Sequence, residues 1–134
     1  MTERNPVTGR SSSRSNSARP TVSSCWSSSS RGRSTATRVF AGGIEYVSNT
    51  GIATGTVLSG GGQQVVYSGG TASNTSVGAG GVLVVSQGTT SNAVVSSAGF
   101  EYVYSGGSLA GTTTLDGGTL EILSGGTAGS STVS

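Results

Sequence analysis

The sequence predicts an all-β fold: a parallel solenoid of about five rungs over residues 39–134, preceded by a Ser/Arg-rich segment over residues 1–38 that is expected to be disordered. Three observations predict it. Charged residues are only 9% and hydrophobic residues 32% of the chain, yet there are 24 glycines and the net charge is +2. That is the make-up of a patterned repeat rather than of a highly charged coil. A unit of about nineteen residues recurs through residues 39–134. Each unit holds two β-like segments of unequal length, separated by glycine-rich turns.

The longer segments are GIEYVSN, GQQVVYS, GFEYVYS and GTLEILS. They are rich in β-branched and aromatic residues and bounded by glycine, the signature of short strands. Within them an apolar position recurs at Val47, Val66, Val84, Val103 and Ile122, with spacings of 19, 18, 19 and 19. This is the expected interior ladder. Beyond it comes an unbroken turn glycine at Gly51, Gly70, Gly88, Gly107 and Gly126. A mostly small position follows at Ala53, Ala72, Thr90, Leu109 and Ala128. The shorter segments, TVLS, TSV, AVVS and TTTL, carry a second apolar position at Leu58, Val77, Val95 and Val133, weakest at Thr114. A second turn is marked by Gly61, Gly80, Ala98 and Gly117. Glycine pairs at the corners let the backbone take positive φ. No apolar stripe follows a 3.6-residue period, so no helix is expected.

One unit of this length cannot bury an apolar face by itself. Stacking unit on unit buries it as a continuous column. With strands ~4.8 Å apart, five rungs make a rod of roughly 24 Å. An antiparallel meander with glycine hairpins would use similar strands. Two unequal segments that repeat together favour the coil.

Charge divides the chain in two. All seven basic residues are arginines within the first 38 residues, where Glu3 is the one acid. Residues 39–134 hold Glu45, Glu101, Asp116 and Glu121 and no base. The basic character therefore belongs to the first segment, and the repeats are not a nucleic-acid-binding surface. For residues 1–38 the composition also fits a transit peptide, an arm for an anionic surface, or residues foreign to the repeat protein. No secretory signal peptide is expected in this chain, because no apolar h-region follows the arginines.

The residue inventory argues against catalysis. With no histidine, Ser-His-Asp and Cys-His arrangements are impossible. With no lysine, Walker-type phosphate loops and Schiff-base chemistry are excluded. Cys25 is the only cysteine, so no internal disulfide and no ordinary zinc site can form. Glu45 and Glu101 share a repeat position but lie roughly 14 Å apart by rung spacing. That exceeds the ~5–9.5 Å of a glycosidase pair. Asp116 and Glu121 read as solvated surface acids. No catalytic residue, metal ligand, cofactor or small-molecule substrate is expected. Calcium-binding β-roll repeats need an aspartate in each nonapeptide, and the repeat region has only Asp116. Asn74-Thr75-Ser76 forms a sequon that reads as unused. Tyr46, Tyr67, Tyr102 and Tyr104 are the exposed-aromatic candidates; Tyr46 and Tyr102 share a position next to the interior valine, so alternation points them outward as a candidate contact surface.

The pattern G-G-x-x-x-V-x-S-G-G-T-A-x-x-T-x-V is clearest in GGGQQVVYSGGTASNTSVGAGG, residues 60–81. It resembles the nineteen-residue passenger repeats of self-associating bacterial autotransporter adhesins of the diffuse-adherence type. The resemblance covers residues 42–134. It implies a right-handed parallel β-helix at the bacterial cell surface, or secreted, and a translocator barrel elsewhere in the parent protein. It also implies adhesion, autoaggregation or biofilm formation, through contacts with like solenoids or with host or bacterial cells. Sugars on serines and threonines are known in some members, which would make Thr71, Ser73, Thr75 and Ser76 acceptors. The chain ends in mid-repeat and is expected to be a repeat fragment. The alternatives are a passive structural stalk or a truncated, non-functional gene product.

Overall fold

A computed structural model describes residues 21–22, 29–30, 33–39 and 42–134. Numbered in chain order, the strands fall into successive turns of a coil. The first described ones are β1 (Thr21–Val22), β2 (Ser29–Ser30), β3 (Arg33–Thr35) and β4 (Arg38–Val39). One turn is then β5 (Ile44–Ser48), β6 (Ile52–Thr54) and β7 (Val57–Leu58). The next is β8 (Gln63–Val66), β9 (Thr71–Ser73) and β10 (Ser76–Val77), followed by β11 (Val82–Val85), β12 (Thr89–Ser91) and β13 (Val94–Ser96). The last turns are β14 (Phe100–Val103) with β15 (Ser108–Asp116), and β16 (Thr119–Ile122) with β17 (Thr127–Val133).

Every strand pairs in parallel with its counterpart one turn away, which makes the fold a parallel β-solenoid of about five turns. The longest strands stack as the six-stranded sheet β16-β14-β11-β8-β5-β2. The two shorter ones stack as separate columns, which β15 joins into an eleven-stranded sheet because it runs through both. Three columns of strands therefore stack along the coil, not the two expected. The third is the segment Ile52–Thr54 and its repeats, and its sequence is short and small. A single inward alanine, such as Ala53 or Ala72, marks it where a strand would ordinarily show a large apolar residue. No helix occurs among the described residues.

The interior ladder departs from expectation at one rung. Val66 pairs with Val85, and Val85 with Val103, so the column is Val47, Val66, Val85, Val103 and Ile122. Val84 faces outward, in register with Val65 and Tyr102. The 18-residue spacing arises in the turn after Val85, where Ser86-Gln87-Gly88 replaces the longer Tyr67-Ser68-Gly69-Gly70. Register within a sheet is intolerant of a one-residue slip, because every side chain would change face. A surface turn absorbs the deletion far more easily. Val47, Val66, Val85 and Val103 are at most 5% exposed, whereas Ile122 in the last rung is 41% exposed.

The turn glycines divide two tasks. In Gly106-Gly107, Gly106 takes the left-handed conformation at φ 78°, while Gly107 does not. Instead a Cβ on Gly107 would lie 2.6 Å from the carbonyl oxygen of Val85 in the rung below. The first glycine turns the chain, and the second lets one rung sit on the next.

The solenoid begins earlier than residue 39. Most of residues 1–38 lies outside the described residues, but within it β3 pairs with β6 and β4 with β7. Ser34-Thr35-Ala36-Thr37-Arg38-Val39 occupies the register of Ala53-Thr54-Gly55-Thr56-Val57-Leu58. Arg33, Thr35 and Arg38 face solvent while Ser34, Thr37 and Val39 are buried. Period-two alternation was present there, disguised by arginines on the outside and hydroxyls on the inside.

Candidate functional site

The solenoid presents three sides to solvent, and their chemistry differs. On the six-stranded sheet, alternation places Ile44, Tyr46 and Ser48 outward from β5, with Val65, Val84, Tyr102 and Glu121 continuing the column of Tyr46. Tyr46 and Tyr102 thus share a column, three rungs apart with two valines between them. Each ring instead meets a neighbour from another column. Tyr46 stacks on Tyr67 with centroids 6.0 Å apart and planes at 8°. Phe100 stacks on Tyr102 at 6.1 Å and 5°, and Tyr104 leans on Tyr102 at 6.5 Å. Val65, beside Tyr46 across the strands and two residues from Tyr67, is only 8% exposed although it points outward. Sequence reasoning left Phe100 out of the patch. Its signal was the alternation already used for Tyr102, since it lies two residues from it.

Of the other two sides, one mixes Arg38, Val57, Ser76, Val94 and Thr114 in its outward column, with both valines exposed, and the other is dominated by hydroxyls. Thr54, Thr71, Ser73, Thr89 and Ser91 face out from one column, and the Ser91 hydroxyl reaches that of Ser73 at 3.3 Å. Of the four hydroxyls crowded near residue 74, Thr71, Ser73 and Ser76 reach solvent. Thr75 does not: it is buried and donates to Gln64 Oε1 at 3.0 Å. Asn74 is exposed, with a left-handed backbone at φ 55°.

The interior holds polar groups that the apolar pattern did not announce. Two residues before each ladder valine, an inward column runs Glu45, Gln64, Leu83, Glu101, Leu120. Glu45 and Glu101 therefore do share a face, and that face is the core: both are fully buried. Glu45 accepts hydrogen bonds from Ser34 Oγ at 2.8 Å, Thr56 Oγ1 at 3.0 Å and Gln64 Nε2 at 2.6 Å. A buried carboxylate with three donors is satisfied. Glu101 is not. It lies between Leu83 and Leu120, and neither of its oxygens has a hydrogen-bond partner of acceptable geometry. Burial pushes its carboxyl up to about 7, offset only in part by the nearby Thr113 hydroxyl. Asp116 and Glu121 are exposed. Among the described residues, no three Asp, Glu, Cys or His side chains converge as a metal site would require. Glu45 and Glu101 are both closed off from solvent, and only Glu45 ties neighbouring rungs together through its hydrogen bonds.

The turn glycines Gly51, Gly70, Gly88 and Gly107 are buried at one corner. Their carbonyls accept from the next rung, as in Thr71 N–H to Gly51 O and Thr127 N–H to Gly107 O, both at 3.0 Å. Gly126 occupies the same position in the last turn. These residues shape the coil and carry no reactive group.

Residues 43–99 match the family described as "Adhesin of bacterial autotransporter system, probable stalk". Among solved structures, the chain is similar to the crystal structure of a TibC-catalysed, hyper-glycosylated TibA fragment, at 33% identity and a TM-score of 0.71. The similarity covers 85% of this chain and 49% of that one, so the chain spans about half the length of that structure. No curated protein sequence matches it. The nineteen-residue repeat, the three-column parallel coil and these two similarities agree: residues 43–99 carry the repeat of that adhesin-stalk family, and the coil is similar to that of the TibA adhesin fragment.

Proposed function

We propose that the chain acts as adhesive passenger repeats on the outside of a bacterial cell, binding like solenoids or another cell surface through the sides of the coil. The carrying observation is that the adhesin-stalk repeat is present as a regular rod with solvent-facing sides and a sealed interior. Repeated side chains offer many weak contacts that sum through multivalency. This is a surface for contact rather than a catalyst. A passive stalk is the second reading, favoured by the word stalk in the family's own description. Microspheres coated with the purified chain separate the two: an adhesive solenoid clumps them reversibly, and a passive stalk leaves them dispersed. The TibA relative is glycosylated, and the exposed hydroxyls Thr71, Ser73 and Ser76 are the corresponding candidates here. Mass spectrometry after co-expression with TibC would test this, with Thr75 expected to stay unmodified.

A further inference from the structure

Every aromatic side chain among the described residues, Tyr46, Tyr67, Phe100, Tyr102 and Tyr104, stands on the outer face of the six-stranded sheet. We propose that this face packs against the same face of a second copy, sheet on sheet, and makes the self-association contact in place of the hydroxyl-rich side. The inference rests on the adhesive reading above and names its surface and partner.

Three features select a like copy as the occupant. The first is charge. Among the described residues, Glu121, in the last rung, is the one charged residue at the outward positions of this sheet, and Arg33 and Arg38 lie on the other sides. Two such faces meet without opposed like charges along their centre. A nucleic acid or an anionic membrane would need cations, and the described residues of this face offer none. The second is shape. The face is a sheet whose paired rings lie nearly parallel, within 8° for Tyr46–Tyr67 and 5° for Phe100–Tyr102. Sheets pack face to face about 10 Å apart, and aromatic pairs add to such contacts. The same patch on both partners makes a closed, two-fold interface. The third is area. Five strands at ~4.8 Å and about five residues at ~3.3 Å present roughly 400 Å² per copy. That is about half of the ~800 Å² per partner found in stable complexes. It is too small for a permanent dimer and suits a reversible one that strengthens as rungs are added. A dissociation constant on the order of 100 µM or weaker is expected for this chain.

The test is sedimentation equilibrium on the full 134-residue chain up to millimolar concentration, alongside the microsphere assay. Wild type is compared with Tyr102→Lys/Val84→Lys, with Tyr46→Ser/Tyr67→Ser, and with Thr54→Lys/Ser73→Lys on the hydroxyl side. Circular dichroism confirms that each variant keeps its β signal, and the serine pair serves if the lysine pair does not fold. The expected result is reversible dimerisation of wild type, at least ~10-fold weaker in both aromatic-face variants and unchanged in the hydroxyl-side variant. Dimerisation that survives the aromatic-face changes, or that is lost only from the hydroxyl side, overturns the assigned face while leaving the adhesive reading intact. A wild-type chain that stays monomeric and leaves microspheres dispersed overturns both.

Discussion

Glu101 sets the pH response of the last rungs. Its carboxyl rises from 4.5 to about 7 on folding, chiefly through burial between Leu83 and Leu120. The folded state therefore holds this proton more tightly than the unfolded chain. The associated stability is complete below pH ~4.5 and is lost as pH rises through ~7. The rise corresponds to roughly 3 kcal/mol. In a stacked coil the loss falls mainly on the rungs that touch Glu101, from β14 towards β17. Glu101→Leu completes an apolar run with Leu83 and Leu120 and removes the titration. It is expected to match wild type near pH 4.5 and to exceed it by about 3 kcal/mol at pH 8. Urea unfolding followed by circular dichroism across pH 4.5 to 8.5 reads both curves. Because other acids titrate equally in both proteins, the difference isolates Glu101. Parallel curves, with no gap opening above pH 5, would refute the reasoning.

Three further outcomes follow from the packing. Val85→Ala should lower stability by about 2 kcal/mol while Val84→Ala changes it by less than ~0.5 kcal/mol, because only Val85 is in the core; urea midpoints compare them directly. Gly107→Ala forces a Cβ onto the Val85 carbonyl, a backbone group that cannot swing aside, and should cost at least about 2 kcal/mol in the same assay. Glu45→Leu strands the Ser34, Thr56 and Gln64 donors and should destabilise by about 3 kcal/mol, whereas Glu45→Gln, which keeps a carbonyl acceptor, should lose less.

Much of this molecule was legible in its amino acids because a solenoid writes each rung in nearly the same letters. Val47, Val66 and Val103 reveal the interior column, and Tyr46 and Tyr102 the outward one. Val84 shows the limit of that reading. A missing residue between Val66 and Val103 is visible in the spacing, but its place is not. VLVV offers a valine to either register, and only the pairing of Val85 with Val66 decides between them. The strand Arg33–Thr35 was hidden for another reason: its inward residue is Ser34, accepted in the core because its hydroxyl donates a hydrogen bond to Glu45.

The sequence by itself determined the period, the strand-rich class and the absence of histidine and lysine chemistry, since these depend on residue type and spacing alone. The tertiary structure decided which way each segment faces. It made Glu45 a satisfied core residue and Glu101, at the same repeat position, an unsatisfied one. The reason is that a side chain's environment in a stacked coil is set by the rungs above and below it: Gln64 beside one carboxylate, Leu83 and Leu120 beside the other. Those neighbours are eighteen or nineteen residues away in sequence and one strand spacing away in the fold.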